Sequence, residues 1–510
     1  MAQSDDMTRR DFVTAAAGAA ALATGCRAAP PAAPAIDSAT LWNLSAVEAV
    51  RAMTRGEVTA ERYATALLER CRAGQSLNAF ITLTPDRVLE AARAADRQRA
   101  GGSPLGALHG LPIPVKDSVN TRDLPTTGGT PALRHFQPAA DAPVVARLRD
   151  AGATILGKTN LHEMSFGWTS DNKAFGAVHN PYDAARIPGG SSGGTAAAIA
   201  ARMAPLGVAE DTEGSIRVPA AMCGIAGFRP TTGRYPSAGV IPITALFDQV
   251  GPHARTVADL VLFDTVVARD ATPLASADLR GVKLAVIRDY YFSGIDAEVA
   301  RLVGGALDKL RAAGVVIVEA RMPDLARLIG LVTDQVQSHD AYYTIKQYLA
   351  DFRTGVTIEQ LVAGASSDIA AGFRDFVIPG SPHAVSDAAY RAATEVHLPL
   401  LRERFATLFA TTGASAVVFP TTMMPPVPIG QDATVTVGGA TMAFTAAISR
   451  NIAPGSTAGL PGLVLPVGLT AGGLPVTLEL DGPSGSDRRL LSIGAEIEKL
   501  LGRLPPPRIA

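Results

Sequence analysis

Two hydroxyls and one amine in this chain have the settings of reactive groups. Ser191 stands in Gly189-Gly190-Ser191-Ser192-Gly193-Gly194, and Ser215 in Asp211-Thr212-Glu213-Gly214-Ser215-Ile216-Arg217. Lys116 closes the run Leu111-Pro112-Ile113-Pro114-Val115. A serine hydroxyl is a poor nucleophile until a base removes its proton, and lysine serves as that base at neutral pH only where burial or neighbouring cations keep it uncharged. The run before Lys116 is apolar and poor in hydrogen-bond donors, which suits a desolvated amine. Glycines beside each serine permit positive φ and close backbone approach. Consecutive amides in such loops can converge on an anion, as an oxyanion hole requires. The set points to acyl transfer without a histidine.

Plainer readings compete with that chemistry. A Gly-Ser string is often a flexible linker, yet Thr195-Ala196-Ala197-Ala198-Ile199-Ala200-Ala201 follows it. So apolar a helix-forming run makes the string a loop entering a buried helix. Taken alone, Lys116-Asp117 is an ordinary solvated pair. No G-x-S-x-G elbow surrounds Ser215, and no H-E-x-x-H helix is present. His162-Glu163 lacks a second histidine at helical spacing, which makes His162 a structural residue. Cys26, Cys71 and Cys223 form neither a zinc cluster nor a disulfide framework, and the apolar setting of Cys223 favours packing. Neither a metal nor a cofactor is expected.

The whole set resembles the amidase signature family. It joins the lysine at a strand end, the GGSSGG loop, the block Asp211 to Ala221 and the segment Cys223-Gly224-Ile225-Ala226-Gly227-Phe228-Arg229-Pro230-Thr231. Similarity extends from Leu44 and Leu77-Asn78-Ala79-Phe80, through Gly157-Lys158-Thr159-Asn160-Leu161, to Ala458-Gly459-Leu460-Pro461 and Gly473-Leu474-Pro475. The resemblance implies an α/β amidase signature fold, with a large mixed twisted β-sheet core surrounded by α-helices. It also implies a triad in which Ser215 attacks the carbonyl, Ser191 relays the proton from a cis-peptide conformation, and neutral Lys116 is the ultimate base. The backbone N–H groups of Thr212, Glu213, Gly214 and Ser215 would form the oxyanion hole. Ser192, Asp211 and Arg217 would hold the two loops together. Glu213 departs from the family's usual glycine, and Glu210 from its usual small or hydroxyl residue. The Glu213 side chain is therefore expected to point toward the leaving-group side or solvent.

At 510 residues, 47% of them hydrophobic and 18% charged, the chain can bury a substantial core. A net charge of −1 leaves no electrostatic footprint for nucleic acid. The first 26 residues read as an export segment: Thr8-Arg9-Arg10-Asp11-Phe12-Val13 resembles a twin-arginine signal, followed by an uncharged stretch from Ala15 to Gly25. Ala23-Thr24-Gly25-Cys26 offers a weak lipobox that would make Cys26 a lipid anchor. An Ala/Pro-rich linker over 27–39 then leads to the amidase domain, 40–510. Location is expected to be periplasmic or extracellular, as monomer or homodimer.

Within the body, Ser45 and Glu48 form a capping box and Thr84-Pro85 opens a helix. Residues 280–287, a helix through about Ala313 and Val315-Val316-Ile317-Val318 make a β-α-β unit. The least family-like stretch, about 320 to 440, supplies candidates for the substrate wall in Tyr342, Tyr343, Tyr348, Phe376, Met423 and Met424. No arginine cluster there announces a charged substrate. The substrates this suggests are neutral, fairly apolar amides, with anilides, peptide amides, carbamates or esters as related classes. A glutamine-hydrolysing transamidase-type subunit is the alternative, and the export signal argues against it.

Overall fold

A computed structural model describes residues 38–509 of the chain. The twin-arginine motif, the lipobox at Cys26 and the Ala/Pro-rich stretch up to Ala35 lie outside the described residues. Among the described residues no helix is long and apolar enough to cross a membrane.

Eleven strands make one sheet. In chain order they are β1 Phe80–Leu83, β2 Pro112–Lys116, β3 Thr154–Thr159, β4 Leu206–Asp211, β5 Ala226–Arg229 and β6 Gln249–Ala254. β7 Lys283–Val286, β8 Val316–Glu319, β9 Ala416–Pro420, β10 Gly462–Leu469 and β11 Pro475–Asp481 complete it. Their spatial order is β1-β3-β2-β4-β6-β5-β10-β11-β9-β7-β8. β2 runs parallel to both β3 and β4, and β9 and β8 run parallel to β7, while the middle of the sheet is antiparallel. The fold is thus α/β with a mixed sheet. Helices cover its faces, so central strands such as β2 and β4 are buried at every position, as sheets covered on both sides must be.

Local signals at the helix starts are realised. Ser45 caps the helix Ala46–Arg55 with both halves of the capping box in place, and Pro85 stands at the first turn of Pro85–Ala100. The expected β-α-β unit forms from β7, the helix Ala297–Ala312 and β8, with an extra short helix, Arg288–Tyr291, between strand and crossover. Its parallel pairing sets Val316 opposite Lys283.

The architecture brings the chemistry-bearing segments to neighbouring strand ends. β2 ends at Lys116 and β4 ends at Asp211, side by side, with Val115 paired to Val208. The GGSSGG loop runs into the helix Gly193–Ala200, all of whose residues are buried. Two glycines are required by close approach. A Cβ on Gly194 would lie 2.3 Å from the Asn160 carbonyl oxygen, and one on Gly190 2.6 Å from the Trp168 carbonyl carbon.

Candidate active site

Lys116 is fully buried at the end of β2. Its Nζ donates to Ser191 Oγ at 2.6 Å and to Glu210 Oε1 at 2.6 Å. Burial lowers the ammonium's affinity for its proton below the ordinary lysine value, while the Glu210 carboxylate pulls the other way. The next residue, Asp117, faces away from this pair and takes Lys158 at 3.0 Å with Thr127. Successive side chains on a strand point to opposite faces, so the sequence neighbours Lys116 and Asp117 serve two different ion pairs.

Ser191 follows a cis peptide bond with Gly190. Its carbonyl accepts from His162 N–H at 3.0 Å and from Ser170 Oγ at 3.1 Å. Ser170 also donates to the Gly189 carbonyl and accepts from Gly193 N–H, so one hydroxyl ties three points of the loop. Ser192 joins the two serine loops: its Oγ donates to the Glu210 carbonyl at 3.0 Å and its N–H to the Ser215 carbonyl at 3.4 Å. Lys116 and Ser191 are therefore in direct contact. The Oγ of Ser215 donates to no protein group among the described residues and stands at the wall of a cavity.

Asp211 and Arg217 fix the Ser215 loop. Burial pushes the Asp211 carboxyl up, but Arg217 and Arg229 outweigh this and hold it below the usual carboxylate range. Its oxygens accept from Ile216 N–H at 3.0 Å, Arg217 Nε at 3.2 Å and Arg229 Nη1 at 3.1 Å. Arg217 is fully buried and reaches Glu479 Oε1 at 2.6 Å, the Ile452 carbonyl at 3.1 Å, the Glu213 carbonyl at 3.0 Å and the Ser456 hydroxyl. A guanidinium with this fork of donors suits five acceptors around one loop. The loop carbonyls and carboxylate are taken up in this way. The N–H groups of Thr212, Glu213, Gly214 and Ser215 donate to no other group among the described residues.

The cavity beside Ser215 has a volume of about 640 Å³. Phe166, Trp168, Ile369, Phe373 and Phe376 give it an apolar wall, and Glu213, Asp334 and Asp368 an acidic one. Among the described residues no lysine or arginine lines it. Glu213 turns its carboxylate to the long helix Leu325–Asp351, where Oε2 accepts from Gln337 Nε2 at 2.7 Å. Burial, and then the charge of Asp334, push this carboxyl up to about 7. Of the two directions expected for it, the leaving-group side or solvent, the side chain does not take open solvent: it meets an amide on the wall of the cavity.

The expected substrate wall is only partly realised. Phe376 lines the cavity, whereas Tyr343 and Tyr348 line a second one of about 560 Å³ that reaches Glu210 and Asp248. Tyr342 packs on the apolar cluster that includes Ile369 and Phe373 without lining the cavity itself, and Met423 and Met424 are core residues, 0% and 5% exposed. They leave β9 inside the layer between sheet and helices, where an unbranched thioether fills gaps. His162 is buried against Thr169, and burial depresses its imidazole to about 4. Cys223 is buried, which pushes its thiol up. Sequence reasoning missed Ser165, Ser170 and Gln337, because nothing local marks a residue whose partner is far along the chain. Glu210 carried a signal, its departure from the family pattern, but no hint of its partner.

The buried amine on a serine, the glycine-built loops and the covered mixed sheet fit an acyl-transfer enzyme, and similarity to known proteins makes it one that hydrolyses amides. The sequence profile of the Amidase family matches residues 62–491, and the chain belongs to that family, with the amidase signature on its core. It is 38% identical over 436 residues to the indoleacetamide hydrolase of Rhizobium radiobacter, covering 86% of this chain and 92% of that one. To the mandelamide hydrolase of Pseudomonas putida it is 37% identical over 483 residues, covering 92% and 93%. Among solved structures, the peptide amidase of Stenotrophomonas maltophilia superposes with a TM-score of 0.76 at 28% identity, covering 91% and 98%.

Proposed function

We propose that the protein cleaves the C–N bond of small, neutral amides bearing an apolar or aryl group, through an acyl-enzyme on Ser215. The observation that carries this is the buried Lys116 Nζ on Ser191 Oγ, next to a cavity into which Ser215 opens. In the proposed reaction, neutral Lys116 takes the Ser191 proton as Ser191 takes that of Ser215. Ser215 Oγ bonds to the carbonyl carbon, and the carbonyl π pair moves to oxygen, facing the free N–H groups of residues 212–215. Collapse breaks the C–N bond, and the proton returns through Ser191 to the departing nitrogen. Water then repeats the sequence on the ester and releases the acid.

The walls support the substrate class. Aromatic and aliphatic side chains favour an apolar acyl group, and the described residues of the lining include no lysine or arginine to take a substrate carboxylate. This also speaks against glutamine, whose α-carboxylate would need a cation. The relatives named for indoleacetamide and mandelamide hydrolysis are consistent with an aryl group on the acyl side. Asp211, Arg217 and Ser192 act in this reading as positioning residues for the two loops.

Release assays across a panel of primary amides, anilides, peptide amides, esters and carbamates test the proposal. Aryl-substituted neutral amides should be turned over best. Ser215→Ala and Lys116→Ala should each lose at least about a thousandfold, with a trace left in Ser191→Ala because water can replace its hydroxyl. Full turnover by Ser215→Ala would sink the assignment.

A further inference from the structure

Glu210 is a buried carboxylate, 4% exposed, that the proposed reaction does not use. One of its oxygens, Oε1, accepts from Lys116 Nζ at 2.6 Å and also from the Ser165 hydroxyl. Its backbone is held as well, through the Ser192 hydroxyl on its carbonyl and pairing with Val250 on β6. Both ends of the residue are thus fixed, and the side chain has one orientation to offer the lysine.

The other groups facing Lys116 do not compete for it. Asp211 is taken by Arg217 and Arg229. Asp248 is held by Thr212 Oγ1 at 2.6 Å and by the N–H groups of Ile243 and Thr244, and burial pushes its carboxyl up to about 7. His253 bonds the Ile216 carbonyl, and burial depresses it to about 4, which leaves the ring neutral. Glu210 is the carboxylate in direct contact with the amine.

We propose that Glu210 is a positioning residue that tethers the Lys116 ammonium in the resting enzyme and thereby sets the pH above which the base works. The inference rests on the assignment of Lys116 as the base. An ammonium held between a carboxylate and a serine hydroxyl has no lone pair for Ser191. Loss of one proton to solvent water leaves the neutral amine with its lone pair free for the Ser191 hydroxyl. Glu210 opposes that loss, since a negative charge at hydrogen-bond distance favours the ammonium, whereas burial promotes it. The second cavity touches Glu210 and Asp248 apart from the substrate side, which gives the pair a route for proton exchange while a substrate occupies the first cavity. Ser165 orients the carboxylate and takes up part of its charge.

The test is the pH profile of kcat/KM for the full chain, Glu210→Gln and Glu210→Asp, on the best substrate of the panel. In Glu210→Gln burial is opposed only by the weaker pull of Asp211 and Asp248, so the acid limb should move to lower pH by at least about one unit, with a reduced plateau because the amine loses its tether. Glu210→Asp should return the limb most of the way. A residue that only supports the fold would lower the plateau and leave the limb in place, and that result overturns the inference. Should Glu210→Gln fail to fold, Ser165→Ala decides: it leaves the carboxylate less neutralised and should move the limb upward, and an unmoved limb there also overturns it. Turnover persisting in Ser215→Ala would instead strike the underlying reading. Loss of activity in that variant with an unmoved limb in Glu210→Gln fails this inference alone.

Discussion

Replacing Glu213 by Gln keeps an acceptor oxygen for Gln337 and removes the ionisable carboxyl. In the folded protein this carboxyl titrates near 7, raised from an ordinary glutamate value of 4.5 mainly by burial and then by Asp334. The folded state therefore holds the proton more tightly than the unfolded chain between those two values, and stability falls as pH rises through that window. A shift of this size corresponds to a ceiling of about 3 kcal/mol. The residue lines an open cavity, so solvent screens part of the effect and about 1–2 kcal/mol is expected. Urea unfolding at pH 4 and at pH 8.5 reads it directly. The two proteins should be nearly equal in stability at pH 4, below the unfolded value, where the carboxyl is largely protonated in both states, and Glu213→Gln should be the more stable by that amount at pH 8.5. A difference independent of pH would refute the account of this carboxyl as destabilised by burial. Turnover separates its chemistry from its energetics: in the proposed reaction only the Glu213 N–H faces the oxyanion, so the acyl preference should be nearly unchanged and the ranking of charged against neutral leaving amines should shift. Loss of turnover on every substrate, as deep as that of Ser215→Ala, would make the side chain catalytic.

Two further perturbations test other parts of the site and the location of the protein. Arg217→Lys retains a charge but not the fork that holds Asp211, Glu479, Ser456 and two carbonyls; it should cost at least about 2 kcal/mol in denaturant unfolding, because buried carboxylates lose their hydrogen bonds, and a change within experimental error would deny the residue its role. We also propose export through the twin-arginine segment, so joint replacement of Arg9 and Arg10 by Lys should retain active enzyme in the cytoplasm by cell fractionation, and an unchanged distribution would exclude that route.

What could be read from the chain by itself was local. The loop Gly189 to Gly194 entering an alanine-rich helix, the strand that buries Lys116, the cap at Ser45 and the β-α-β unit each depend on residues within a few positions of one another. Backbone preference and apolar periodicity therefore suffice to write them in sequence. The family pattern extended this reach to the Lys116, Ser191 and Ser215 set, whose members lie 75 positions apart in the case of the lysine and its serine.

The rest was decided by packing. Glu210 meets Lys116 across 94 positions, Gln337 meets Glu213 across 124, and Arg217 meets Glu479 across 262. No local preference encodes such pairs, because they arise only when strand order sets β2 beside β4 and the long helix lays its face against the Ser215 loop. The same physics sorted the expected wall residues, sending Met423 and Met424 into the core and leaving Phe376 at the cavity. A side chain's apolar character announces that it will be buried, but which surface it meets is fixed by the fold. The identities of the proposed reacting groups were thus written in the sequence, while the charge around Lys116 and the shape of the space beside Ser215 exist only once distant segments are packed together.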